Sequence, residues 1–175
     1  SSYQEFGVSV RQTWTADAML FASYVHARSR SDLNDFGSLF VNIDAPFLEP
    51  GGTVTTAADV PDRLRAWATV QLPERIVVSP AVDWRTGFPY STYDEYRRYV
   101  GEANSRRFPT YFALDLTVFK TLDVVGRKLD LGVQFFNLTG HDNPRDVISV
   151  VSSSRFGELT NNPGRTLGGY MQVRW

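Results

Sequence analysis

The sequence predicts an all-β fold: an antiparallel up-and-down meander of about seven transmembrane strands, forming a segment of a large outer-membrane β-barrel. Three observations carry that prediction. The first is alternation. Six stretches, 5–14, 63–72, 75–85, 112–119, 128–135 and 166–175, place an apolar or uncharged residue at every second position. With each stretch's phase set for the greatest contrast, one face of the six holds 28 positions without an Asp, Glu, Lys or Arg. At 21% charged residues, about six would fall there without such sorting. The opposite faces hold 11 charges in 29 positions. One oily face and one charged face per strand is the pattern of a wall between hydrocarbon and water.

The second observation is the spacing of the connections, which run short, long, short, long, short, long. All tight turns then lie at one end of the sheet and all elaborate loops at the other, as in barrels with short periplasmic turns and long external loops. The third is length. Strands of about ten residues suit a tilted crossing of ~25 Å of hydrocarbon. The longest uncharged run, 131–140, has 10 residues and falls short of the ~18 that a spanning helix needs.

In order, a first strand is expected over about 3–14, turned by Thr15-Ala16-Asp17, and a second over about 18–28. The second strand's facing is ambiguous, because Met19, Phe21 and Val25 on one side and Leu20, Ala22 and Tyr24 on the other are equally apolar. The Ser-, Asp-, Gly- and Pro-rich segment 29–61 reads as a long loop. Strands three and four, 62–72 and 75–85, flank Pro73-Glu74 and form a hairpin. A second long loop, 86–107, leads to strand five (108–120), and a turn around 123–126 leads to strand six (127–138). A third loop, 139–164, in which 147–151 extends without crossing anything, precedes the last strand, 165–175. On this reading Val10, Val78, Val82, Leu116 and Val133 face lipid. Outward Trp14 and Trp175 fall at the lower interface and Trp84, Phe112 and Phe135 at the upper one, an arrangement of two aromatic belts.

Composition narrows the functional classes. Eighteen basic and 19 acidic residues give a net charge of −1, so no global field points to nucleic acid. Cysteine is absent, which removes disulfides, thiolate metal sites and cysteine nucleophiles together. Ser1-Ser2-Tyr3 opens directly on a strand pattern without a signal peptide, as expected of a processed or partial chain.

The segment from Asp62-Arg63-Leu64 through Leu72-Pro73-Glu74-Arg75-Ile76 to Trp84-Arg85-Thr86-Gly87-Phe88-Pro89-Tyr90 resembles the late barrel of TonB-dependent outer-membrane receptors. Leu114-Asp115-Leu116-Thr117-Val118-Phe119-Lys120 is similar to a strand of that family. So is 131–139, containing Asn137-Leu138-Thr139 and followed by His141 and Asn143-Pro144. Phe156-Gly157 and Pro163-Gly164-Arg165-Thr166, ending at Trp175, resemble its closing strand. The resemblance covers 62–175. It implies the last strands of a larger barrel whose plug domain, TonB-contacting part and remaining strands lie outside this chain. It also implies residence in the bacterial outer membrane and energised uptake of a scarce ligand such as a siderophore, cobalamin, glycan or peptide. Met171, Val173 and Trp175 resemble the C-terminal signal read by the barrel-assembly machinery, although Gly168 and Gly169 flank the usual glycine position.

Candidate site residues follow from placement. Tyr90, Tyr93, Tyr96 and Tyr99, interleaved with Arg97 and other charges, would grip a ligand at the barrel mouth or cover neighbouring loops. Inward Arg63, Arg65, Asp83, Arg85, Asp115 and Asp130 would line a route or pair with one another or with a plug, since a buried charge needs a partner. Asp115 and Asp130 on neighbouring strands suggest an acid pair, but no nucleophile or oxyanion motif accompanies them, so no enzymatic activity and no cofactor are expected. Asp32, Asn34, Asp35 and Gly37 resemble a calcium loop, yet Ile43 occupies the position of the bidentate Glu. His26 and His141 lack further ligands at metal spacing. Two other architectures remain: a small self-standing barrel with a structural or adhesive role, whose eighth strand would come from 147–156, and a soluble β-sandwich binding module.

Overall fold

A computed structural model describes residues 1–32 and 52–174. Seven long strands dominate it: β1 (Ser2–Thr15), β2 (Ala18–Ser31), β3 (Asp62–Leu72), β4 (Ile76–Arg85), β5 (Tyr111–Val124), β6 (Arg127–Phe136) and β7 (Thr166–Arg174). Each pairs antiparallel with its chain neighbours, so spatial order equals chain order and β1 and β7 are the two edges. The two-residue strand Val54–Thr55 adds alongside the end of β2. The sheet is open, because β1 and β7 do not meet.

The tight turns lie together at one end. Ala16-Asp17 joins β1 to β2, Pro73–Arg75 joins β3 to β4, and Val125-Gly126 joins β5 to β6. Val125 (φ 49°) and Gly126 (φ 72°) both take left-handed backbone, the pattern of a two-residue primed turn whose twist matches its flanking strands. Glu74 and Arg75 do the same at φ 61° and 58°. The connections at the other end are all long.

Cross-strand partners share a face, so the register tests whether the six favoured faces coincide. Val10 lies opposite Ala22, Ala22 opposite Ala66, Ala66 opposite Val82, and Val82 opposite Leu114. Val78 lies opposite Val118, Val118 opposite Val133, and Leu131 opposite Met171. One side of the sheet is therefore apolar from edge to edge. The same register settles β2: Leu20, Ala22 and Tyr24 join the apolar side, while Met19, Phe21 and Val25 join the other. That other side is not uniformly polar. Phe21 stacks on Trp67 at 5.8 Å, and Phe119 meets Tyr170 edge-on at 6.2 Å. Gly132 leaves the room for that ring, since a Cβ there would come within 2.4 Å of Tyr170 and 2.8 Å of the Phe119 Cβ.

The strands are staggered. Ala18, at the first turn, lies in register with Val70, Val78 and Val118, whereas the third turn leaves β5 at Val124, six residues farther along. At about 3.3 Å per residue and about 4.8 Å between strands, this slants the line of turns by roughly 45° to the perpendicular of the strands.

Several boundaries differ from expectation. β2 runs to Ser31 rather than 28, because Ser2 to Glu5 continue the ladder through Arg30 to Ala27. β5 begins at Tyr111 and runs on to Val124, because the Phe108 N–H donates to the Phe88 carbonyl instead of joining the ladder. The segment 147–156, from which the alternative self-standing barrel would draw its eighth strand, does not form one: Asp146–Val147 extends, pairing with Leu159–Thr160, and 151–157 is a succession of turns. An eight-stranded barrel would have to take its eighth strand from elsewhere. No second layer of protein covers the sheet among the described residues. Their buried apolar side chains are the small Ala27, Val54, Pro89, Ala103 and Ala113, and no large side chain is fully enclosed.

Candidate functional site

The six inward charges separate into three groups. At the loop end of β3 and β4, one Asp83 carboxylate oxygen accepts from Arg63 Nη2 at 2.9 Å and from Arg65 Nε at 3.3 Å. Arg85, opposite Arg63 on one side and Tyr111 on the other, lies between two rings. Its guanidinium carbon is 4.3 Å from the Phe88 centroid and 4.5 Å from that of Tyr111. Desolvated cation–π contacts of this kind hold a guanidinium flat against aromatic faces while leaving its edge free. The second oxygen of Asp83 and the Nε atoms of Arg63 and Arg85 are enclosed without a hydrogen-bond partner.

The acid pair suggested by the sequence does not form. Asp115 accepts the Asn137 N–H at 2.9 Å near the loop end. Asp130 lies opposite Thr121, six residues farther along β5, or about 20 Å away. There it accepts from the Thr121 hydroxyl at 2.6 Å and from Arg174 at 2.8 Å. Each carboxylate thus has its own structural partners.

The tyrosines of the second long loop also divide. Pro89–Tyr90 pairs with Arg106–Arg107, and the Tyr90 ring packs 5.1 Å from Phe108. Tyr93 bridges both Tyr99 and Val150, joining the second long loop to the third, and its ring lies 5.3 Å from that of Tyr99. Tyr96 is the exposed member, at 70%, with the Arg98 guanidinium 5.1 Å from its centroid. Arg97 sits beside it in left-handed backbone at φ 61°, as the chain reverses. Asp94 organises this reversal: its Oδ1 accepts the backbone N–H groups of Tyr96 and Arg98, both at 2.9 Å, and its Oδ2 accepts from Arg98 Nε at 2.8 Å. These bonds, that from the Arg98 backbone first, hold the Asp94 carboxyl below the usual carboxylate range.

Below the tyrosines lies a small polar core that sequence reasoning missed. Asp59, 3% exposed, pairs with Arg107 and accepts the Ser29 N–H at 2.6 Å. Asn104 accepts from Ser91 and donates to the Thr55 carbonyl at 2.9 Å. Asn143 accepts the Phe112 N–H at 2.9 Å and returns a bond to the Phe112 carbonyl at 2.8 Å, imitating a neighbouring strand. Asn137 (φ 51°) ends β6 and donates to the His141 carbonyl at 2.9 Å. Only Asn137 and Asn143 carried a signal, through the motifs quoted above.

Of the residues assigned to lipid, Val10 is 54% and Val133 41% exposed, and Val78, Val82 and Leu116 are half-buried by neighbours on the same face. Met171 and Val173 extend that face on β7, at 69% and 42% exposed. Trp175 lies outside the described residues, as do Asn34, Asp35, Gly37 and Ile43 of the calcium-like segment. His26 Nδ1 is 2.9 Å from an Asp62 carboxylate oxygen, and His141 Nδ1 is 3.1 Å from Asn143 Oδ1. Among the described residues no three metal-ligating side chains converge. No protein-family model, curated protein or solved structure matches this chain.

Proposed function

We propose that this chain is the C-terminal wall of a TonB-dependent outer-membrane receptor, whose apolar side meets lipid and whose polar side meets water and a plug. The carrying observation is the apolar face. It runs through all seven strands in one register, and no protein layer among the described residues covers it. In water an exposed face of this size would drive association. Acyl chains satisfy it. The slant of about 45° agrees with the strand tilt of outer-membrane barrels, and the two unpaired edges suit a sheet continued by further strands. The wall performs no chemistry. Energy would reach it from the TonB complex through the plug, and insertion would use the barrel-assembly machinery through Met171, Val173 and Trp175. Capture of the scarce ligand would fall to the loop end, where Tyr96 and Arg97 are presented.

The absence of cysteine makes the test direct. Single cysteines placed through β4 from Ile76 to Arg85, spin-labelled in outer-membrane vesicles of the intact protein, should alternate with period two. Positions 78 and 82 should collide with oxygen dissolved in lipid, and 79 and 83 with a water-soluble nickel chelate. Uniform access to the chelate would reject the reading.

A further inference from the structure

The loop-end cluster on the polar face carries more positive charge than the described residues neutralise. Arg63, Arg65 and Arg85 converge there, and among the described residues Asp83 is their single acid, already shared by Arg63 and Arg65 through one oxygen. Asp115, the next acid on that face, lies opposite Ala81 and is occupied by the Asn137 N–H. Asp59, under the adjoining loop, is taken by Arg107. Among the described residues Arg85 is therefore left with no carboxylate. Its guanidinium carbon lies within 4.5 Å of both ring centroids, contacts that use none of its N–H donors, and its Nε is enclosed and unpartnered. A guanidinium so held is preorganised for the two parallel bonds that a carboxylate or phosphate accepts, and little side-chain entropy remains to be lost on binding.

We propose that Arg85, framed by Phe88 and Tyr111 and assisted by Arg63, is a binding site for a small anion bearing carboxylate or phosphate oxygens. This deepens the receptor reading, on which it rests for a water-filled polar side: the captured ligand would be acidic, and the cluster would receive it below the tyrosine loop. The charge excess attracts the anion, and the planar fork of Arg85 orients it. Asp83 ties Arg63 and Arg65 together through one oxygen.

Calorimetric titration of the intact protein in detergent, with citrate and inorganic phosphate as probes and glycerol as the uncharged control, tests the site. Saturable binding of citrate or phosphate, with none of glycerol, is expected. Arg85→Met, which keeps the packed stem, should weaken it about tenfold or more, and raising the salt should weaken it further. Arg85→Lys retains charge without the fork and should fall between, which separates anion recognition from folding should the Met variant misfold. Binding of citrate alone assigns a carboxylate ligand, and binding of phosphate alone assigns a phosphate ligand. Absence of saturable binding by either, or equal affinity in Arg85→Lys and the parent, overturns the proposal. The two readings fail separately. A period-two label pattern without anion binding removes the site and leaves the wall. Arg85-dependent binding without the pattern removes the wall and leaves the site.

Discussion

The sheet and the loop end of this molecule are stabilised in opposite ways. Along the strands, backbone ladders join every neighbouring pair, yet no large side chain is fully enclosed and the apolar side is open from β1 to β7. The loop end encloses itself. Of the buried residues described, all but Asp130 lie at that end or just inside it, and most are polar: Ser31, Asp59, Ser91, Thr92, Asn104, Asn137 and Asn143. Thr92, Asn104, Asn137 and Asn143 bond backbone carbonyls and Asp59 accepts a backbone N–H, which is how irregular segments meet the requirement that buried donors and acceptors be paired. The loop end supplies its own partners, whereas the apolar side of the sheet finds no cover among the described residues.

This contrast is broken most severely at Gly87. A Cβ there would lie 1.9 Å from the Phe108 carbonyl oxygen and 2.5 Å from its carbon, and both atoms are backbone. The clash cannot be relieved by a rotamer change. Gly87→Ala should separate Gly87 from Phe108, release Pro89–Tyr90 from Arg106–Arg107 and cost about 3 kcal/mol. Gly164→Ala, where a Cβ meets nothing within 4 Å, is the control and should cost far less. Denaturant unfolding and proteolysis within 86–110 measure the difference, and equal stability of the two variants would contradict a self-enclosed loop end.

The sheet is probed by adjacent residues on opposite faces. Val78→Arg puts a charge on the apolar side and should cost about 2 to 4 kcal/mol of folding free energy in lipid vesicles, with Leu116→Arg behaving alike. Ser79→Arg points to the polar side and should cost far less. Equal costs at 78 and 79 would mean that lipid does not discriminate the faces.

The parts legible in the sequence were those with a local cause. Alternation has a period of two and needs no knowledge of the partner, so β1, β3, β4, β6 and β7 were readable within a few residues, with their facing. β2 was not, because Met19-Leu20-Phe21-Ala22 is apolar on both sides, and only pairing with Val10 and Ala66 decides it. The site was legible as charges but not as contacts. Arg85 and Tyr111 are far apart in the chain and meet through the register of β4 and β5. Asp59 and Arg107 are 48 residues apart and join two loops that carry no periodic signal. The glycine of the Gly87-Phe88-Pro89-Tyr90 motif was noticed by resemblance, and its physical reason, the approach of Phe108, appears only in three dimensions.

The smallest predicted effect concerns pH at the tip of the loop end. Asp94 sits in a reversal held by N–H groups from Arg98 and Tyr96 and by the Arg98 side chain, all of which favour its charged form. Its folded-state affinity for a proton is therefore lowered. The stabilisation it provides is fully present above the ordinary carboxylate range, about pH 4, and is lost as pH falls through the lower folded value. The amide resonances of Tyr96 and Arg98 should accordingly stay constant from neutral pH down to about 4 and then shift together, with one midpoint below that of an unperturbed Asp. In Asp94→Asn the shared transition should vanish, because the amide oxygen accepts the same N–H bonds without titrating. A midpoint at or above the ordinary range would mean that the carboxylate does not organise the turn. The exposed placement of Tyr96 and Arg97 would then lack its structural cause, while the enclosed core beneath, which depends on Asp59, Asn104 and Asn143, would be unaffected.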